Sequence, residues 1–244
     1  MTYCVGLRVD RGLVFMSDTR TNAGIDSIST FRKMHVWSEP GERVIVLMAA
    51  GNLATTQAVV SLLDERSKAV AERSPTLLET PSMYQTARLV GNTVKEVIAN
   101  SAQDGQKAES YFNASFILGG QIRGTDPRLF MIYPEGNFIE SSDDTPFFQI
   151  GETKYGKPII VRAYDRAMSF AEATKLLLVS FDSTLKSNLS VGLPLDLFFY
   201  EKDSLKPGLK KRIGQDDPYY RTISDGWSNA LKNAFKSLPD FPDT

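Results

Sequence analysis

Thr2 follows Met1 and opens the stretch Thr2-Tyr3-Cys4-Val5-Gly6-Leu7. Removal of an initiator Met before a small residue is routine processing, and it would leave Thr2 with a free α-amine beside its own hydroxyl. A threonine in that position carries nucleophile and general base in one residue, which is a way to activate a weak hydroxyl. An α-amine titrates near ~7.7–8.0, close to the pH at which a general base works best. The chemistry expected of Thr2 is therefore acyl transfer through a covalent intermediate.

The residue inventory removes competing chemistries. Cys4 is the only cysteine and His35 the only histidine. Cys/His zinc sites are not available, so no metal is expected, and a Ser-His-Asp site would have to use His35. Cys4 alone excludes an internal disulfide and fits a reducing cytoplasm. Neither a G-x-x-x-x-G-K-[ST] loop nor a G-x-G-x-x-G turn is present, and no cofactor is expected. The net charge of −1 gives no electrostatic footprint for nucleic acid or an acidic membrane surface. No apolar run approaches the ~20 residues that span a bilayer, and no secretory signal is visible. The 244 residues, 42% hydrophobic and 23% charged, suit one domain or two small ones.

The elements that would position Thr2 follow in order. Thr2 to Val9 and Leu13 to Ser17 read as strands joined by a turn at Asp10-Arg11-Gly12, a hairpin that ends at Asp18. Thr19 to Ile28 reads as a loop. Phe31 to Trp37 is expected as a strand with Phe31, Lys33, His35 and Trp37 on one face. Arg43 to Ala50 is a nearly all-apolar strand, buried on both faces, and Gly51-Asn52 ends it. Helices are expected over Thr55–Ala69, with Val59, Leu62 and Leu63 at helical spacing, and over Met83–Ala102. Pro75 and Pro81 punctuate the stretch between them. Glu109 to Arg123 reads as a strand turning at Gly119-Gly120, with Arg128 to Tyr133 as its partner. Short strands follow at Gly136–Glu140 and Pro146–Ile150. Helices over Tyr155–Tyr164 and Ser169–Ser187, a long strand over Leu189–Lys202 and a helix near Asp217–Lys236 complete the chain. Hairpins dominate, so the sheets are expected to be antiparallel. Strand and helix blocks segregate, which argues an α+β fold of two facing sheets, each covered by helices.

A chain-initial Thr, an Asp closing the second strand, a Lys on the third and Ala-Gly at the strand-to-helix junction resemble proteasome β-subunits and HslV. The wording MTYCVGL, SDTRTNAG, STFRKM, AAGNLATTQ and QIGETKYGKP is similar to the bacterial Anbu family. The resemblance covers the whole chain, 1–244, and implies a single N-terminal-nucleophile hydrolase domain with a four-layer αββα sandwich. It implies Thr2 as nucleophile, Lys33 as the cation beside its hydroxyl, and Asp18 as the partner that holds Lys33 charged and aimed. Arg32 is adjacent to Lys33, and one of the two enters the site; the family pattern favours Lys33. Gly51 matches the residue whose backbone N–H forms an oxyanion hole, and Ser190 resembles the serine that orients the terminal amine. Thr21, His35, Ala49 and Leu53 match the specificity pocket, although a surface or core role suits His35 equally. Two positions depart from the pattern: Glu152 stands about where proteasomes carry an assisting serine, and Ser187 about where they carry an aspartate.

The resemblance further implies a peptide or protein substrate and a homo-oligomer of six or more subunits, closed ring or open helical ring. An unfoldase partner fits this pattern, and the sequence does not name one. Two alternatives stay open beside the peptidase: a catalytically silent ring subunit and a small-molecule N-acyl amidohydrolase.

Overall fold

Alternation along the first strand sets the layers. The computed structural model describes residues 1–22, 28–68, 76–101 and 112–242. Strand β1 (Tyr3–Val9) turns through Asp10-Arg11 into β2 (Gly12–Asp18), and the two pair antiparallel. Tyr3, Val5 and Leu7 point to one side, where they pack with Leu177 and Phe181. Cys4 points to the other, into a cluster with Phe15, Met48, Ile117 and Phe148. A strand with one face on helices and one on a second sheet is buried at every position, as β2 is.

The first sheet has the order β10-β1-β2-β11-β12, with β10 Phe147–Gly151, β11 Leu195–Glu201 and β12 Lys210–Ile213. The second has the order β5-β6-β7-β8-β9, with β5 Met34–Glu39, β6 Arg43–Gly51, β7 Ala114–Ile122, β8 Arg128–Ile132 and β9 Phe138–Glu140. Every pairing in both is antiparallel. Helices α1 (Leu53–Lys68) and α2 (Met83–Ser101) cover the second sheet, with Val59, Leu63, Val90 and Val94 against Ile45, Leu47 and Phe116. Helices α3 (Lys157–Ala163) and α4 (Phe170–Ser187) cover the first. The result is the four-layer αββα sandwich.

Several boundaries differ from the sequence reading. The stretch read as a loop from Thr19 carries strand β3 (Arg20–Asn22), paired with β4 (Ile28–Thr30). This ribbon is half-buried or exposed, so its polar residues show no hydrophobic alternation. The third strand begins at Met34, three residues later than expected, so Phe31 and Lys33 lie ahead of it. Gly119 and Gly120 do not turn the chain; β7 runs straight through them. A Cβ on Gly119 would sit 2.7 Å from Cζ of Phe15 in the facing sheet, and one on Gly120 would sit 2.0 Å from the Val44 carbonyl. These glycines permit close packing rather than reversal. The long strand expected from Leu189 begins only at Leu195, and β12, rich in lysine and arginine, carried no strand signal. Ala69, Pro75, Ala102 and positions 109–111 lie outside the described residues.

Helix starts match their chemistry. Ser169 and Glu172 form a reciprocal capping box at α4. Asp217 accepts from the Tyr219 and Tyr220 amides, with Pro218 opening α5 (Pro218–Lys236). No described helix is long and apolar enough to cross a membrane.

Candidate active site

Asp18 closes β2 and is fully buried. Its Oδ1 accepts from the Lys33 ammonium at 2.8 Å and from the Tyr3 amide at 3.0 Å, and its Oδ2 from the Gly192 amide at 3.3 Å. Burial pushes the Asp18 carboxyl up from the ordinary carboxylate range; the Lys33 charge and these donors pull the other way. A buried carboxylate persists only with such partners. Lys33 is 6% exposed and also donates to the Arg20 carbonyl at 2.6 Å. Its own carbonyl accepts from the Ala49 amide at 3.0 Å, which ties the segment before β5 to β6. Among the described residues two of the ammonium's three donors are thus committed, and one has no partner.

Thr2 is 8% exposed and lines a cleft of about 320 Å³ together with Lys33, Ala49, Gly51, Leu53 and His35. Its carbonyl accepts from the Glu152 amide at 2.7 Å. Gly151 makes that contact geometrically accessible: its φ is +85°, and a Cβ there would lie 1.9 Å from the Thr2 carbonyl oxygen. The Tyr3 hydroxyl is bonded to Ser180 on α4 at 2.7 Å and to Gln149 on β10. Thr2 is therefore held from three sides, by β2 through Asp18, by β10, and by α4 through its neighbour. Gly51, at φ +123°, ends β6 where a side chain would strike the Asn113 carbonyl at 2.2 Å. Asn52 then caps α1, its side chain accepting from Thr55.

This arrangement can be set beside known proteins. The proteasome-subunit family model matches residues 2–192. The chain belongs to the proteasome-subunit family. Three solved structures place it in the Anbu group of that family. It is 53% identical to an Anbu (Gly-1) mutant from Hyphomicrobium sp. strain MC1, with 100% of both chains covered and a TM-score of 0.92. It is 50% identical to Anbu (ancestral beta-subunit) from Yersinia bercovieri, over 99% of this chain and 100% of that one, with a TM-score of 0.92. It is 46% identical to the chain in a helical assembly of the Anbu complex from Pseudomonas aeruginosa, over 99% and 98%, with a TM-score of 0.90. No match was found among the curated proteins. Family and fold are those of N-terminal-nucleophile hydrolases and support peptidase activity in general terms.

In this Anbu-group subunit the other expected positions divide. His35, Ala49 and Leu53 line the cleft; Thr21, on the half-buried ribbon, is not among its described lining. His35 stacks near Trp37 with ring centroids 6.1 Å apart, and burial, then the Arg32 charge, lowers its pKa to about 4. It is neutral at pH 7. Arg32 is exposed and lines the same cleft, while Lys33 alone reaches Asp18. The Ser190 amide donates to Asn188, and no described hydrogen bond joins the Ser190 hydroxyl to Thr2. Ser187 is exposed on α4, and its described side-chain hydrogen bond runs back to the Ser183 carbonyl. Glu152 is 6% exposed, accepts from Asn188 at 2.9 Å, and lies 3.7 Å from the Lys154 ammonium. Cys4 is fully buried, and burial drives its thiol pKa far up; it is packing, not chemistry.

Sequence reasoning missed Gly151, Gly192 and Asn188. Only Gly151 left a local trace, as a glycine at a strand end followed by a carboxylate. The described residues contain no group of three or more His, Cys, Asp or Glu placed to hold a metal.

Proposed function

We propose that residues 1–244 act as one threonine-type peptidase domain that uses Thr2 after Met1 is removed. The observation that carries this reading is the Thr2-lined cleft with the buried Lys33–Asp18 pair at 2.8 Å beside it. The Thr2 hydroxyl attacks the substrate carbonyl carbon and passes its proton to the α-amine. The Lys33 ammonium favours deprotonated neighbours, and its uncommitted donor serves the hydroxyl. The Gly51 N–H supports the oxyanion; losing one such donor costs roughly 10²–10³ in rate. Collapse expels the amine product, which takes the proton, and leaves an ester on Thr2. Water, deprotonated by the same α-amine, then hydrolyses the ester. The nearby charges already act on the chain terminus: burial, then Lys33, lowers the pKa of the Met1 amine, while Asp18 and Glu152 oppose them.

The silent-subunit alternative has less support, because both members of the Lys33–Asp18 pair are present and joined. Thr2→Ala tests the reading. It should abolish peptide hydrolysis and β-lactone acylation with the thermal unfolding curve unchanged. Full turnover by Thr2→Ala would require another nucleophile.

The proposal includes self-assembly. Leu231, Phe235, Leu238 and Phe241 are 50%, 77%, 65% and 86% exposed. The first three recur at helical spacing on and just past α5, and such an apolar stripe marks an interaction surface. A second copy of this chain is the occupant we assign, since the 46% identical relative is described as a helical assembly. The reading further assigns a peptide or protein substrate and a Thr2 that faces the interior of that assembly. An unfoldase partner is compatible with it.

A further inference from the structure

The cleft beside Thr2 has an unbalanced charge. Among its described lining residues are two cations, Arg32 and Lys33, and no carboxylate. Lys33 is neutralised by Asp18. Arg32 makes no ion pair with any described residue, and it is close enough to depress the His35 pKa. Asp64 on the adjoining helix is already engaged by Trp37 and Lys68, and neither it nor Glu65 lines the cleft. The walls add Gln57 and Ser61, both exposed polar groups, over an apolar base of Ala49 and Val60. Helix α1 also points its N-terminal end at this cleft and has no acidic residue in its first turn, so its dipole is not offset there.

Building on the Thr2 reading, we infer that this cleft selects substrates with an acidic side chain on the residue whose carbonyl meets Thr2. The carboxylate of an aspartate or glutamate would reach Arg32 while its methylenes lie on Ala49 and Val60. A lysine there would place a second unpaired cation against Arg32, which is a repulsive element as well as a missing attraction. His35, neutral at pH 7, contributes a hydrogen-bonding ring and no charge of its own.

The test uses processed full-length protein and three peptide vinyl sulfones identical except for Glu, Gln or Lys at the reacting residue. The Glu probe should label Thr2 about five- to tenfold faster than the Lys probe, with Gln between, the scale of an exposed ion pair gained and a repulsion avoided. The preference should shrink in 0.5 M salt through screening, and Arg32→Glu should reverse it. A second arm is independent of the nucleophile: calorimetry of the corresponding acetyl-peptide amides on Thr2→Ala protein. Tighter binding of the Glu peptide there supports the inference even if no probe labels Thr2, an outcome that would sink the nucleophile alone. Equal or tighter binding of the Lys peptide, or no measurable binding of either at millimolar concentration, overturns it.

Discussion

Gly151→Ala should damage the enzyme although the residue does no chemistry. Position 151 has φ +85°, and an added Cβ would lie 1.9 Å from the Thr2 carbonyl oxygen. Left-handed backbone at a non-glycine residue costs on the order of 1–3 kcal/mol. The clash cannot be relieved by a side-chain rotation, because the atom struck is backbone. Strand β10 must move away, which breaks the 2.7 Å bond from the Glu152 amide to Thr2, a loss of about 1 kcal/mol. The expected destabilisation is about 2–4 kcal/mol. For a chain of this size that lowers Tm by roughly 5–15 °C. Displacing the nucleophile by about 1 Å should slow acylation about a hundredfold. Gly124→Ala is the control: φ there is +79°, with nothing within 4 Å of the added atom. It carries the backbone strain alone and should leave acylation unchanged. Thermal unfolding and the rate of β-lactone acylation should be measured on both. A Gly151→Ala protein with a Tm no lower than the control and wild-type acylation would refute the claim that β10 positions Thr2.

Four further outcomes follow from the same structure. Lys33→Ala should cut acylation by orders of magnitude, Asp18→Ala nearly as much, and the double variant little more, because they act as a unit; additive losses would contradict that. Lys33→Ala also leaves Asp18 buried without its counter-charge, which costs about 3–5 kcal/mol near neutrality. Since burial then raises the Asp18 pKa further above its unfolded value, protonation favours the folded state. The stability gap to wild type should narrow as pH falls from 7 into the carboxylate range, and parallel denaturant midpoints from pH 4 to 7 would count against it. His35, with its pKa lowered to about 4, stabilises the fold fully above its unfolded value near 6.5 and loses that contribution as pH falls towards 4. His35→Gln should flatten the stability profile across that window, and an unchanged slope would show that another group governs it. Phe235→Asp with Leu231→Asp should reduce the mass seen by light scattering towards that of one 27.1 kDa subunit, whereas an unaltered mass would move the interface elsewhere.

Legibility tracked the range of the interaction. Alternation in β1 and β2, helical spacing in α1 and α2, and the apolar run of α4 are local, so their residues announced the layers. Asp18 and Gly51 stand at ends of apolar runs and were equally visible. Lys33 was expected on the strand, which begins one residue after it; the Lys33 carbonyl still bonds to Ala49 as a strand residue would. Gly119-Gly120 looked like a turn since glycine has two uses, and only the opposing Phe15 ring reveals which applies. The contacts of Gly192 with Asp18 and of Glu152 with Thr2 join residues far apart in the chain, and such pairs leave no pattern in one sequence. Thr21 was assigned to the pocket by analogy, and the ribbon it occupies lies outside the described lining.

The central claim is that the α-amine of Thr2 is the base. The direct measurement compares acylation by a β-lactone in two preparations of the same chain, one retaining Met1 and one with it removed, both verified by intact mass. With Met1 retained, the nitrogen of Thr2 is an amide and cannot accept a proton. The account predicts one added acyl mass, located on Thr2, in the processed protein and none in the Met1-bearing protein. Equal acylation of both would contradict it.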